Sequence, residues 1–90
     1  MGAQPIRIPF IYADKCEHCQ EALSTLEGAI LKCKDISCEI AKFKYDTKAA
    51  LAIAMAQGID DLPGFVIGKE VFVGEDYTEE RIVKAIEKAK

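Results

Sequence analysis

The apolar residues of this 90-residue chain change their spacing several times, and that succession limits the folds open to it. Over Ile6–Tyr12 the period is two: Ile6, Ile8, Phe10 and Tyr12 share one face and Ile11 lies on the other. β-Branched and aromatic residues in that alternation predict a buried strand. Pro9 donates no ladder hydrogen bond, so it predicts a bulge or an unpaired position there. From Glu17 the spacing turns helical. Cys19, Leu23, Leu26, Ile30 and Cys33 form one stripe, with Gly28 off it and Lys32 and Lys34 suited to the negative end of the dipole. Residues 36–45 alternate again, Ile36, Cys38 and Ile40 against Ala41, Phe43 and Tyr45, which predicts a second strand partly covered on both faces.

Asp46-Thr47 is a capping pair for a helix over Lys48–Gln57, where alanines favour the helix and Leu51, Ile53 and Met55 supply bulk. Gly58 ends it. Residues 59–64 read as a turn. Residues 65–67 and Glu70–Val73 form a hairpin, whose Gly68-Lys69 loop suits a type II′ turn. Thr78 then caps a last helix. Glu79 and Glu80 lie at its positive end, Lys84, Lys88 and Lys90 toward its negative end, and Ile82, Val83, Ile86 and Ala89 on its buried stripe.

The order is β-α-β-α-β-β-α over a single domain, residues 1–90. The first two strands are joined through a helix and should be parallel. The expected architecture is an α/β fold, a four-stranded mixed sheet with helices on both faces. Half of the residues are apolar and the formal charge is −3, which suits a soluble globular chain and speaks against a nucleic-acid partner. No apolar run approaches the roughly 18–20 residues that span a bilayer, so no membrane partner is expected. Residues 1–7 lack a basic segment followed by an apolar one, and the expected location is cytoplasmic.

The four cysteines, Cys16, Cys19, Cys33 and Cys38, carry the chemistry. In a reducing compartment such residues are catalytic, metal-binding or simply buried. Cys16-Glu17-His18-Cys19 falls where the first strand gives way to a helix. A thiol at a helix N-terminus meets free backbone N–H groups and the positive end of the dipole, which stabilise its thiolate. A second thiol three residues on can attack a mixed disulfide and release its partner. Cys16 at the exposed end is the expected nucleophile, and Cys19, which opens the buried stripe, the resolving thiol. A charged His18 favours the thiolate and Glu17 opposes it.

A four-cysteine zinc site is the rival reading. Cys19 and Cys33 lie fourteen residues apart on one helix, about 21 Å at 1.5 Å per residue. Ligands of one zinc must lie within about 4 Å of each other. No metal is therefore expected, and exchange between thiols and disulfides requires no bound cofactor. Cys33 and Cys38 read either as small buried hydrophobes or as a second disulfide across the helix-to-strand turn.

A Cys-x-x-Cys after the first strand, a Leu62-Pro63 opening the third, and this order of elements resemble the thioredoxin/glutaredoxin superfamily over essentially residues 5–90. Residues 40–46, Ile-Ala-Lys-Phe-Lys-Tyr-Asp, are similar to the thioredoxin central strand, and Phe72-Val73-Gly74 to small glutaredoxin-like proteins. The resemblance implies a cis Pro63 packed against the cysteine pair, a Leu62 backbone that pairs with an extended substrate, and Tyr12 as an aromatic beside the active site. Several positions depart from the pattern. Lys15 stands for the usual Trp, Glu17-His18 for Gly-Pro or Pro-Tyr, and Phe10 for the buried acid of the first strand. Asp61-Leu62-Pro63 stands for Thr-Val-Pro, and Gly74-Glu75-Asp76 for Gly-Gly and an acid.

The implied activity is thiol-disulfide exchange on protein disulfides, in electron transport and cell redox homeostasis. Cys16 attacks and Cys19 resolves, with a dithiol or flavoprotein reductase as electron donor and a monomer as the expected state. Asp60, Asp61, Glu75 and Asp76 flank the place where glutathione carboxylates would sit, and like charges weaken such binding. A glutathione-linked glutaredoxin and a non-catalytic interaction module of the same fold are the alternatives.

Overall fold

The computed structural model describes residues 5–89, and Lys90, expected at the end of the last helix, lies outside them along with residues 1–4. The elements run β1 (Ile6–Tyr12), α1 (Glu17–Lys32), β2 (Cys38–Lys44), α2 (Lys48–Gln57), β3 (Gly64–Ile67), β4 (Glu70–Val73) and α3 (Glu79–Ala89). They form one mixed sheet in the order β2-β1-β3-β4. β1 and β2 are parallel, with Ile6 opposite Cys38 and Tyr12 opposite Lys44. β3 runs antiparallel to both β1 and β4.

The alternation along each strand sorts side chains between two cores. Ile8, Phe10, Phe65, Ile67 and Phe72 pack with Leu26 of α1 and Ile82 and Ile86 of α3. Ile11 and Val66 point the other way, toward Ala50 of α2 and Ile59. Helices thus cover both faces. Phe65 is the hinge of the larger core, stacked between Phe10 at 5.7 Å and Phe72 at 4.8 Å. Aromatic pairs of this kind add about 0.5–1.5 kcal/mol beyond the area they bury.

Caps and turns follow local chemistry. Thr47 Oγ1 accepts the Ala50 N–H, so Thr47 is the cap of α2. Gly58 closes the helix at φ +70°, a left-handed conformation that costs glycine little. Thr78 Oγ1 accepts the Arg81 N–H at the start of α3. Gly68 has φ +60° and Lys69 has no positive φ, as a type II′ turn requires.

Two expectations need correction, at β2 and α1, and two are sharpened, at α2 and Pro9. β2 is shorter than residues 36–45, because Ile36 donates to Cys33 O in a turn and pairing with β1 begins at Cys38. The centre of the buried α1 stripe is Cys19, Ala22, Leu26 and Ala29, with Leu23 and Ile30 at its margins. Small residues let α1 approach the sheet and α3 closely. In α2, Ala50 is the buried residue, while Leu51 and Met55 are 54% and 84% exposed. Pro9 causes no bulge in the β1–β2 ladder, whose register is continuous through Pro9 opposite Ala41. Ile6 donates to Ser37 beside β2, so by backbone alternation the nitrogen of Pro9 faces β3. There the ladder stops at Phe10 opposite Phe65.

Candidate active site

β1 ends at Tyr12, and Lys15 turns the chain into α1 in the left-handed region, φ +59°. Such a conformation costs a non-glycine residue about 1–2 kcal/mol. The turn sets Cys16 as the N-cap of α1, with extended backbone angles of φ −104° and ψ 105°. Its Sγ accepts the Cys19 N–H at 3.1 Å. Cys16 and Cys19 are joined as a disulfide, their Cα atoms 5.2 Å apart. Cys16 is half-buried, whereas Cys19 is buried at 4% exposure. An incoming group therefore reaches Cys16 first. Glu17 and His18 are exposed on the first turn.

The β4–α3 loop meets this helix end. His18 Nδ1 lies 2.9 Å from Glu75 Oε1. One residue earlier, Gly74 N–H donates to Pro63 O at 2.8 Å. Gly74 has φ +63°, and a Cβ there would stand 3.0 Å from Asp61 Oδ2, so both conformation and space favour glycine. The Leu62–Pro63 peptide is cis, and Pro63 is fully buried. Leu62 is half-buried, and its N–H already donates to Asp61 Oδ1 at 2.8 Å. Asp76 holds Arg81, at 3.2 Å from its carboxylate, and Arg81 lies 5.1 Å from the centre of the Phe72 ring. The cap of α3 is Thr78 rather than Asp76.

On the other side of the disulfide is a cleft of about 330 Å³. Phe10, Leu23 and Cys19 are its apolar part; Tyr12, Cys16, Gln20, Lys15 and Lys42 bring polar groups. Asp14 also lines it and pairs with Lys44 at 2.8 Å. That carboxylate holds the Lys44 amine above the usual lysine range. Tyr12 is thus beside the cysteine pair, on the side away from Glu75.

Cys33 and Cys38 are free thiols at the far end of α1 and in β2. Burial pushes both thiols up, with Glu87 adding to the effect at Cys33 and Cys33 adding to it at Cys38. Of the two readings, small hydrophobes fits the described thiols. Among the described residues, no three His, Cys, Asp or Glu side chains gather as a metal would need.

Sequence reasoning missed Glu75 as the partner of His18, and missed the cleft's Lys42. The first contact is between distant segments and has no local signal. Lys42 had one: it shares a strand face with Cys38 and Ile40, and parallel pairing sets it opposite Phe10.

No family model matches the sequence, and no curated protein matches it. Solved structures do match. A thioredoxin-2, described as a component of malaria parasite protein secretion machinery, superposes with a TM-score of 0.60 at 16% identity. The match covers 93% of this chain and 82% of that one. A second structure, of a malarial protein, gives a TM-score of 0.60 at 13% identity over 96% of this chain and 98% of its own. At such identities the likeness is one of fold. The chain has the thioredoxin fold, with its Cys-x-x-Cys pair at the start of the first helix.

Proposed function

We propose that the protein is a thiol-disulfide oxidoreductase acting on protein disulfides. The observation that carries this reading is Cys16 Sγ, which is at once a disulfide sulfur, the less buried member of its pair and the acceptor of an N–H at the positive end of α1. That environment favours negative charge on sulfur.

In the reduced protein, the Cys16 thiolate attacks one sulfur of a substrate disulfide. The other substrate sulfur leaves as a thiolate and takes a proton from solvent. Cys19 then loses its proton and attacks Cys16 Sγ, which expels the second substrate thiolate and closes the Cys16–Cys19 disulfide. Two electrons pass to the substrate. A dithiol or flavoprotein reductase returns them, in cytoplasmic redox homeostasis. Tyr12, Leu62 and Pro63 frame the substrate, although Leu62 must exchange its bond to Asp61 before its N–H can pair with a substrate strand. Glu17 and His18 tune the couple, and the Glu75 carboxylate offsets positive charge that His18 brings to the cysteine pair. The acids Asp60, Asp61, Glu75 and Asp76 favour protein disulfides over glutathione.

The test is reduction of insulin by dithiothreitol. The protein should accelerate it, and Cys16→Ser should run at the rate of dithiothreitol alone. Equal rates for the two proteins would reject catalysis. Supplying electrons through glutathione or through a thioredoxin reductase then identifies the donor.

A further inference from the structure

Charge around the disulfide is divided by the order of the strands. β1 leads into Cys16 from the middle of the sheet, with β2 on one side and β3 and β4 on the other. On the β2 side, Lys15 and Lys42 line the cleft, exposed and without an ion pair among the described residues. Its one acid, Asp14, is balanced by Lys44. On the β4 side stand Asp60, Asp61 and Glu75, with Asp76 held by Arg81. The two flanks of the reacting sulfurs thus carry opposite charge.

We propose that this groove selects disulfides by charge, taking a polypeptide with an Asp or Glu within two residues of the attacked cysteine. The inference rests on the oxidoreductase reading and names its substrate class. The cleft suits a short acidic side chain. Phe10 and Leu23 accept the methylenes, Lys15 and Lys42 attract the carboxylate, and Tyr12 and Gln20 offer hydrogen bonds. Cys16 itself lines the cleft. An extended chain rises about 3.3 Å per residue, so a residue one or two places from the attacked cysteine can reach it. A basic residue in that place meets two lysines and is disfavoured. Negative charge on the opposite side of the substrate is disfavoured in turn, so the polarity also orients the bound chain.

The test uses the full chain and three disulfide peptides that differ only beside the cysteine, carrying Glu, Gln or Lys. Solvent-exposed charge pairs of this kind change an equilibrium about two- to fivefold each. In 20 mM salt, kcat/KM should fall in the order Glu, Gln, Lys by about that factor per step, and the spread should shrink in 0.5 M salt. Lys42→Glu should invert the order, and Lys42→Gln should flatten it. Equal kcat/KM for the three peptides in the wild type, or an order that survives Lys42→Glu, overturns the inference and leaves the oxidoreductase reading intact. Failure to turn over any disulfide removes that reading instead. A second measurement then decides the inference without turnover. Analogues with serine for cysteine are titrated into the oxidised protein. The Glu peptide should shift the amide resonances of Tyr12, Gln20 and Lys42 and the Lys peptide should not; equal responses overturn the charge selection.

Discussion

The sulfur of Cys16 accepts the backbone N–H of Cys19 at 3.1 Å, so one atom both closes the disulfide and caps α1. In dithiothreitol the cross-link is gone but a cap is still needed. Cys16→Ser supplies a better capping oxygen and should leave the reduced protein at least as stable as the wild type. Cys16→Ala should be less stable than Cys16→Ser by about 0.5–2 kcal/mol. Urea unfolding of the three reduced proteins checks this, and equal stability of Ser and Ala variants would deny the cap.

The two sides of α2 should respond oppositely to substitution. Met55 is 84% exposed, so Met55→Glu should change stability by no more than about 0.5 kcal/mol. Ala50 is buried against Ile11, Ile59 and Val66, so Ala50→Leu should cost about 1–3 kcal/mol through overpacking. Thermal melts showing the larger loss at Met55 would mean that α2 faces the other way.

Burial raises the Cys33 and Cys38 thiols above their ordinary value. Below the ordinary thiol pKa of about 8.5 they are neutral folded or unfolded. As pH rises past it, the unfolded chain ionises first, and their share of stability is lost through the raised folded value. The melting temperature should drop less between pH 8 and pH 10 in Cys33→Ala than in the wild type. After reduction, iodoacetamide at pH 8 should label Cys16 first and Cys33 last, read by peptide mass. Faster labelling of Cys33 would contradict its burial.

Gly28 sits on α1 where it passes the first turn of α3, and a Cβ added there would come 3.1 Å from Glu79 Oε2. Glu79 also pairs with Lys32, and its side chain is 38% exposed, free enough to move by a few tenths of an ångström. Alanine in a helix interior is favoured over glycine by about 0.5–1 kcal/mol. Gly28→Ala should therefore be stabilising, by about 0.5 kcal/mol, in denaturant unfolding. A loss of stability would show that Glu79 cannot yield.

The elements were legible wherever periodicity and local capping agree. Ile8 and Phe10 alternate with Ile11, Thr47 and Thr78 cap, and Gly58 and Gly68 turn where their neighbours change pattern. The cysteine pair was legible because three-residue spacing at a strand-to-helix junction is itself a geometry. What was hidden depends on partners distant in sequence. Hydropathy weights bulk, so Leu23 and Ile30 looked more central than Ala22 and Ala29, which the close approach of α1 to the sheet actually buries. Leu51 and Met55 supply bulk without burying it, and nothing local reveals that α2 rests on Ala50, Ile53 and Ala54. The bridge from His18 to Glu75 joins segments brought together by the closed fold alone.

Pro9 has a consequence for how the sheet holds together. Two paired positions join β1 to β3, against seven between β1 and β2 and four between β3 and β4. The molecule therefore has a fault line down its middle. Both rungs across it, at Phe10 and Ile11, lie toward the end where Cys16 follows. Away from that end, the halves are held by Ile8 and Ile67 in the shared core and by the contact of α1 with α3, forces that tolerate small slippage where a ladder would not. A partner tethered through sulfur would pull on the stitched end, leaving the loose end free to breathe.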